Sequence, residues 1–348
     1  MKKFIKAVLP AIDLALMPPT FLAAVLMKGI RSAGIARMPL CKRALKRAGI
    51  FPLRNHYYEP LFDARLLRHP TNLDRHLPGI NWNTDTQLKL LSNLNFSSEI
   101  TPLTNQKTDE LVFHFGNSSF ESGDAEYLYN IIRYKKPKKI IEIGSGNSTL
   151  IAILATKKNS EENPLYKCNH VCIEPYEVPW LEQTCVKVVR EKVEDIAKSI
   201  FAELERDDLL FIDSSHMIRP QGDVLCEYLE IIPTLSDGVI VHIHDIFSPK
   251  DYLSKWIVED VCFWNEQYLL EAFLSCNNQW EIIGALNYLH HNHYSALKQT
   301  CPFLTQDREP GSFYMQKTPS TSLAKQATSS VMAEKQNCPT SLRLVIDR

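Results

Sequence analysis

The sequence predicts an α/β fold: a doubly wound, mostly parallel sheet behind a helical N-terminal extension. Three observations carry this. Between residues 140 and 244, short apolar runs alternate with helix-compatible stretches. Several of those runs end in an acid. The first of them passes directly into a glycine turn. Alternating strands and helices imply a parallel sheet with helices on both faces. In such sheets, ligands lie beyond the carboxyl ends of the strands.

The first strand is Ile140-Ile-Glu-Ile, with Glu142 inside it. Gly144, Ser145, Gly146 and Asn147 follow, ahead of a helical stretch at 150–156. Glycine lets the backbone turn tightly and approach a ligand closely, and the helix start offers free N–H groups. A dinucleotide-binding fingerprint wants a third glycine where Thr149 stands. The second strand, residues 170–174, ends in Glu174, an acid placed to accept hydrogen bonds from ribose hydroxyls. Glu142 and Glu174 are 32 residues apart, and the polar residues 157–167 read as a surface loop that lengthens the interval. Residues 186–189, 208–213 and 238–244 give three more strands. Residues 181–186, 194–204 and 222–232 read as the intervening helices. Glu142, Glu174, Asp213, His244 and Asp245 then gather at strand ends, a polar cluster that packing alone does not explain.

The Glu142-x-Gly144-x-Gly146 pattern resembles the first motif of class I S-adenosyl-L-methionine (SAM)-dependent methyltransferases. Longer stretches narrow the resemblance. Phe211-Ile-Asp-Ser-Ser-His216, Gly238-Val-Ile-Val-His-Ile-His-Asp-Ile-Phe247 and Trp264-Asn-Glu-Gln-Tyr-Leu-Leu270 look like a bacterial class I family often called methyltransferase family 24. His56-Tyr-Tyr-Glu-Pro60, Leu77-Pro-Gly-Ile-Asn-Trp82, Ser122-Gly-Asp-Ala-Glu126 and Gly311-Ser-Phe-Tyr314 are similar to it as well. The resemblance covers residues 50–317. It implies the class I methyltransferase fold and SAM as cofactor, held by Glu142, Gly144, Ser145, Gly146, Asn147, Glu174 and Asp213. It does not name the methyl acceptor.

The chain has 348 residues with 45% hydrophobic content, enough for a sizeable core. It divides into a basic, apolar helical arm (1–50), an extension or lid (51–120), a SAM-binding catalytic domain (121–317) and a disordered tail (318–348). Nine cysteines without a C-x-x-C pair read as free thiols in a reducing compartment. Residues 1–54 hold eleven Lys or Arg and one acid, net +10, which leaves −11 on the rest of a chain of net −1. Residues 7–27 are almost wholly apolar, interrupted by Pro10, Pro18, Pro19 and Asp13. This reads as two short helices on an anionic membrane surface; a packed arm and a true span are the alternatives. The setting is cytoplasmic, peripheral on the inner membrane. Nucleic acid is excluded as a partner, because no aromatic platform accompanies the basic residues.

A hydroxyl acceptor must lose its proton during methyl transfer, which needs a base or a metal. His216, His244 and Asp245 are the catalytic candidates. Asp213, His244 and Asp245 are the candidate ligands of a divalent metal, at the strand ends where metal-dependent relatives of this fold carry theirs. Those relatives show Asp-Asn or Glu-Asp where His244-Asp245 stands; imidazole suits a transition metal or serves as the base itself. His242 reads as a packed strand residue, and His290, His291 and His293 as a solvated loop. The expected activity is O-methylation of a small-molecule or glycan acceptor: a sugar, a surface glycan or a lipid-linked precursor. The alternatives are an iron-dependent hydroxylase-like enzyme on the same residues, and a non-catalytic SAM-binding scaffold at the membrane.

Overall fold

The computed structural model describes residues 2–103, 105–176 and 178–319. From residue 320 on, the expected tail lies outside the described residues. The chain forms two compact units, Met1–Pro70 and Thr71–Arg348.

The first unit holds helix α1 (Lys2–Ala33) and helix α2 (Pro39–Arg47). The expected pair of short helices before residue 33 is one continuous helix, with Pro10, Pro18 and Pro19 inside it. Each proline lacks an N–H donor, but its fixed φ is close to helical, so the chain continues. Leu14, Phe21, Leu22 and Leu26 are all exposed. Glu59 receives both Arg31 and Arg54. Those two guanidinium hydrogen bonds outweigh partial desolvation and lower its carboxyl pKa to about 2.

The second unit contains α3 (Thr84–Leu91), α4 (Asp124–Lys135), β1 (Lys139–Ile143), α5 (Asn147–Glu162), β2 (Asn169–Ile173) and β3 (Lys187–Val189). It continues through α6 (Ser199–Ala202), β4 (Leu209–Ile212), α7 (Asp223–Cys226), β5 (Ile240–Ile243) and α8 (Glu266–Leu274). It closes with β6 (Trp280–Ala285), α9 (Leu286–Asn292), α10 (Tyr294–Thr300) and β7 (Phe313–Lys317). The sheet order is β3-β2-β1-β4-β5-β7-β6. β1 to β5 are parallel, and β7 runs antiparallel between β5 and β6. Strands buried on both faces need near-continuous apolar sequence, and β4 and β5 are fully buried. Two apolar cores result, one on each face. Ile141, Leu210, Val241 and Met315 enter one, while Ile140, Leu209, Phe211 and Tyr314 enter the other.

Several local expectations change. Residues 157–162 are the last turns of α5, not loop. Residues 181–186 and 194–204 form only short turns, the 3₁₀ segments Leu181–Gln183 and Val193–Asp195 and the four-residue α6. The backbone becomes extended at Thr184 and Ile196 and cuts both short. The 222–232 helix is α7 followed by a π turn at Glu227–Ile231, and Pro233 follows within the closing 3₁₀ turn. His290 and His291 lie on α9, not in a solvated loop. His290 is buried, and His291 bonds Glu309 at 2.8 Å.

Residues 71–120 belong to this unit's core through Ile80, Leu94, Ile100, Phe113 and Phe120. Arg133 of α4 fastens part of that segment. It is fully buried, takes Glu99 at 2.8 Å, bonds Asn159 and Glu162 of α5, and lies over the Phe96 ring at 4.8 Å. Removing one partner of a buried charge network leaves the others unpaired, which costs about 3–5 kcal/mol. Arg133→Ala should therefore lower the unfolding free energy by about 3 kcal/mol in a urea titration, with Asn159 Oδ1 left without its donor in the core. A loss under about 1 kcal/mol would show that solvent, not Arg133, satisfies Glu99 and Glu162.

Candidate active site

β1 ends at Ile143, and the turn that follows is shaped by its neighbours. Gly144 has φ +79°, and a Cβ there would sit 2.0 Å from the carbonyl oxygen of Asp213. Only glycine fits such an approach. Gly146 differs, since its Cβ would meet nothing within 4 Å. The Gly146 N–H donates to Thr149 Oγ1 at 3.1 Å, capping the start of α5. Ser145 N–H points to the Glu174 carboxylate at 3.3 Å, and Tyr176 N–H donates to its other oxygen at 3.1 Å. Glu174 therefore stands at the end of β2 beside the turn. Glu142 is placed otherwise: it is buried under the turn, accepts from Thr149, and lines neither of the two cavities beside the turn.

Those cavities flank the turn. One, of about 660 Å³, is bordered by Gly144, Glu174, Tyr176, Val193 and Asp213. The other, of about 510 Å³, is bordered by His114, Phe120, Gly146, Asn147, Trp180 and Asp213. Both are within the size range of small-molecule sites. Asp213 borders both.

Around Asp213 the ends of β4 and β5 bring four titratable groups together. His216 Nε2 is 3.3 Å from Asp213 Oδ1 and 3.5 Å from Asp245 Oδ2. His244 Nδ1 is 3.5 Å from one oxygen of each of those carboxylates. Behind each imidazole stands a further acid. Glu266 Oε2 meets His216 Nδ1 at 2.9 Å, and Asp124 Oδ2 is 3.8 Å from His244 Nε2. His216 and Asp245 both have left-handed backbone, φ 56° and 58°. Such conformations cost of order 1–3 kcal/mol and persist where the surroundings impose them. Here the His216 carbonyl accepts from Asn265 and Glu266 N–H groups, and Ile246 N–H donates to Gly311.

The charge balance follows from burial and partners. Burial opposes a charged imidazole at His216, but Asp213 and Glu266 overcome it and hold its pKa well above the ordinary value. At His244, Asp245 and Asp213 likewise overcome burial. Burial would raise the Asp213 pKa, yet the two histidines hold it far below the carboxylate range. Asp245 goes the other way, pushed up chiefly by desolvation. The directions reinforce one another: the carboxylates favour charged imidazoles at His216 and His244, and the imidazoles favour an ionised Asp213. His242 is separate: burial drives its pKa well down, and it stacks on Tyr314 at 4.0 Å with Ser312 at 2.8 Å.

The structure thus brings His216, His244, Asp245 and Asp213 together, with Gly144, Ser145, Gly146, Asn147 and Glu174 along the adjoining cavities. One ligating atom each from Asp213, His216 and Asp245 lies within 4.8 Å of the others, so His216 takes the place in the metal-competent trio where the sequence reading put His244. Glu266 and Asp124 were not singled out for this role from sequence. Both sit inside quoted motifs, and the signal was an acid beside Trp264-Asn and after Ser122-Gly.

The family model described as a methyltransferase domain matches residues 141–246. An uncharacterized protein of Archaeoglobus fulgidus is 28% identical over 171 residues, 45% of this chain and 75% of that protein. Among solved structures, an apo TDP-rhamnose 3′-O-methyltransferase of calicheamicin biosynthesis aligns with TM-score 0.37 at 15% identity, covering 73% of this chain and 98% of that one. The mycinamycin-pathway methyltransferase MycE, solved with Mg and SAH, aligns with TM-score 0.31 at 13% identity, covering 69% and 60%. A putative methyltransferase from Thermobifida fusca gives TM-score 0.29 at 11% identity, over 56% and 81%.

The two glycines should respond differently to substitution. Gly144→Ala collides with backbone and is strained as well, so it should cost more than about 3 kcal/mol. Gly146→Val, with extended backbone and open space ahead of its Cβ, should melt close to the parent. Equal melting of both variants would mean that the turn is not set by the Asp213 carbonyl.

Proposed function

We propose that this chain, whose residues 141–246 match a methyltransferase-domain model, moves a methyl group from SAM to a hydroxyl oxygen of a sugar, surface glycan or lipid-linked precursor. The observation that carries the hydroxyl assignment is the pair of carboxylate-backed imidazoles converging on Asp213, where the two cavities meet.

The residues present fit the cofactor. Glu174 at the end of β2 suits ribose hydroxyls, and the open face of Gly146 admits a ligand against the start of α5. Glu174 borders the larger cavity, so the nucleoside end belongs there. His114, Phe120 and Trp180 give the smaller cavity rings that suit a sugar face, and we assign the acceptor to it. SAM supplies an electrophilic methyl on a sulfonium, with a neutral thioether as leaving group. The protein holds the acceptor oxygen in line with that methyl, which accounts for much of the rate. It also takes the hydroxyl proton. We assign that step to His216 Nε2, with Glu266 fixing the ring and stabilising its charged form. His244 neutralises Asp213 and Asp245 from the other side. The other route is a divalent ion, which would be held by Asp213, His216 and Asp245, a mixed nitrogen and oxygen set that suits a transition metal. It would acidify the hydroxyl in place of a histidine base, and chelators would then abolish turnover. An iron-dependent hydroxylase is less favoured, because that trio has one histidine and two carboxylates where the iron triad takes two histidines and one.

Calorimetry should show one SAM per chain for the parent and none for folded Gly146→Val. With a sugar acceptor, His216→Ala and His244→Ala should each lower turnover by about 10²–10⁴ while SAM affinity changes little. A base must be unprotonated, and both imidazoles are held protonated well above 6.5. Turnover should therefore climb on a limb centred above pH 6.5, and chelators should leave it intact. A limb at or below that pH, or unchanged turnover in both variants, would remove histidine from the chemistry.

The first unit supplies a membrane contact in this reading. Val8–Ala33 is 26 residues long and contains an 18-residue window of mean hydropathy 1.7 in which no residue is buried. Lys42, Arg43, Lys46 and Arg47 follow on α2. These basic groups would meet anionic headgroups at the cytoplasmic face, each contributing about 1 kcal/mol. The full chain should sediment with phosphatidylserine vesicles at low salt, and changing those four residues to Gln should release most of it. Absence of the parent chain from the vesicle pellet would make the helix a packing element.

A further inference from the structure

A second cluster lies apart from the reacting centre, under the glycine turn. Glu142 of β1 pairs in register with Cys172 of the parallel strand β2. His170, two residues earlier, shows the same face of the sheet. All three side chains are buried. His170 Nε2 is 3.3 Å from Glu142 Oε1, Cys172 Sγ is 3.6 Å from Glu142 Oε2, and Sγ is 3.8 Å from the same Nε2. The nitrogen–oxygen separation is beyond the usual range of an N–H···O bond.

One ligating atom each from Glu142, His170 and Cys172 lies within 4.8 Å of the others, and the separations compare with the edges of a metal tetrahedron. Zinc takes thiolate sulfur at about 2.3 Å, imidazole nitrogen at about 2.0–2.1 Å and carboxylate oxygen at about 2.0–2.2 Å, in tetrahedral array. The edges of that tetrahedron are about 3.6 Å for sulfur–nitrogen, about 3.6 Å for sulfur–oxygen and about 3.4 Å for nitrogen–oxygen. Sulfur and nitrogen are within about 0.2 Å of their edge, and each faces a different oxygen of Glu142 at edge distance, so a modest rotation of the carboxylate brings one oxygen onto both. Polar groups are also left over. His170 Nδ1 and, on the turn, Ser145 Oγ are buried without hydrogen-bond partners.

We propose that Glu142, His170 and Cys172 bind one zinc ion beneath the glycine turn, with water or a turn hydroxyl as the fourth ligand. Binding releases the thiol proton, and the imidazole coordinates in its neutral form through Nε2. The ion is structural. Glu142 accepts from Thr149, and Thr149 accepts from Gly146 N–H, so a metal on Glu142 stiffens the turn through two hydrogen bonds.

The test uses the full chain, loaded with Zn²⁺ and dialysed, then with Co²⁺ as a spectroscopic probe. One equivalent of zinc should remain. The cobalt form should show tetrahedral d–d bands and a thiolate-to-metal charge-transfer band in the near ultraviolet. Cys172→Ser should abolish that band and weaken zinc by at least about 100-fold, more than the loss of an outer-sphere partner. Asp245→Asn should leave both unchanged, because an ion at the reacting centre has no sulfur ligand. No retained zinc in well-folded protein overturns the proposal. So does zinc that survives Cys172→Ser and leaves with Asp245→Asn.

Discussion

The close approach of Gly144 to the Asp213 carbonyl is the constraint on which the site depends. Asp213 N–H donates to Ile143 at 2.8 Å, and Gly144 N–H donates to Ile173 at 3.0 Å. The turn after β1 is thus wedged between the ends of β2 and β4. The wedge fixes one backbone that borders both cavities. It also fixes the carboxylate on which both imidazoles converge. A shift of one strand by a single residue would turn Asp213 to the opposite face. The register of β1 against β4 is therefore a statement about chemistry as well as about packing.

The polar cluster is affordable in a buried place because its charges are arranged in opposition. An isolated buried imidazolium would be neutralised by desolvation. His216 and His244 stay charged because each faces Asp213 and Asp245 and is backed by Glu266 or Asp124. Asp124 in turn accepts from Ser312 N–H at 2.7 Å, and Glu266 accepts from Tyr228 at 3.2 Å. Partly satisfied networks of this kind carry high stakes in a low dielectric. Three elements distant in sequence, α4, α8 and the segment before β7, thus buttress the two histidines, while Asp213 and Asp245 favour their charge from the strand ends themselves.

The strands were legible because an apolar run ending in an acid is a strong local pattern, and all five parallel strands appear within two residues of where residues 140–244 suggested them. Glu142 was legible as special but not in its placement. Alternation along a strand tells which residues share a face, not how deep a carboxylate lies under the turn. Residues 181–186 and 194–204 misled because helix-compatible composition is a weak prior that tertiary context overrides, here by extended backbone at Thr184 and Ile196. β6 and β7 left little trace, for β7 is only five residues and its partner strands are set by tertiary pairing. Glu266 and Asp124 acquire meaning only through histidines 50 and 120 residues away, a separation that no local pattern can express.

The antiparallel strand β7 has a consequence for biosynthesis. It enters the sheet between β5 and β6, though it is the last strand made among the described residues. A nascent chain that has emerged only as far as α10 already holds β1 to β5, yet β6 has no neighbour to pair with. The same final segment brings Gly311 to Ile246 and Ser312 to Asp124. Translation order therefore separates folding of the parallel strands from completion of the antiparallel end of the sheet. A ribosome paused near residue 300 carries an unzipped sheet edge, and the polar cluster at the ends of β4 and β5 lacks its contacts from Gly311 and Ser312.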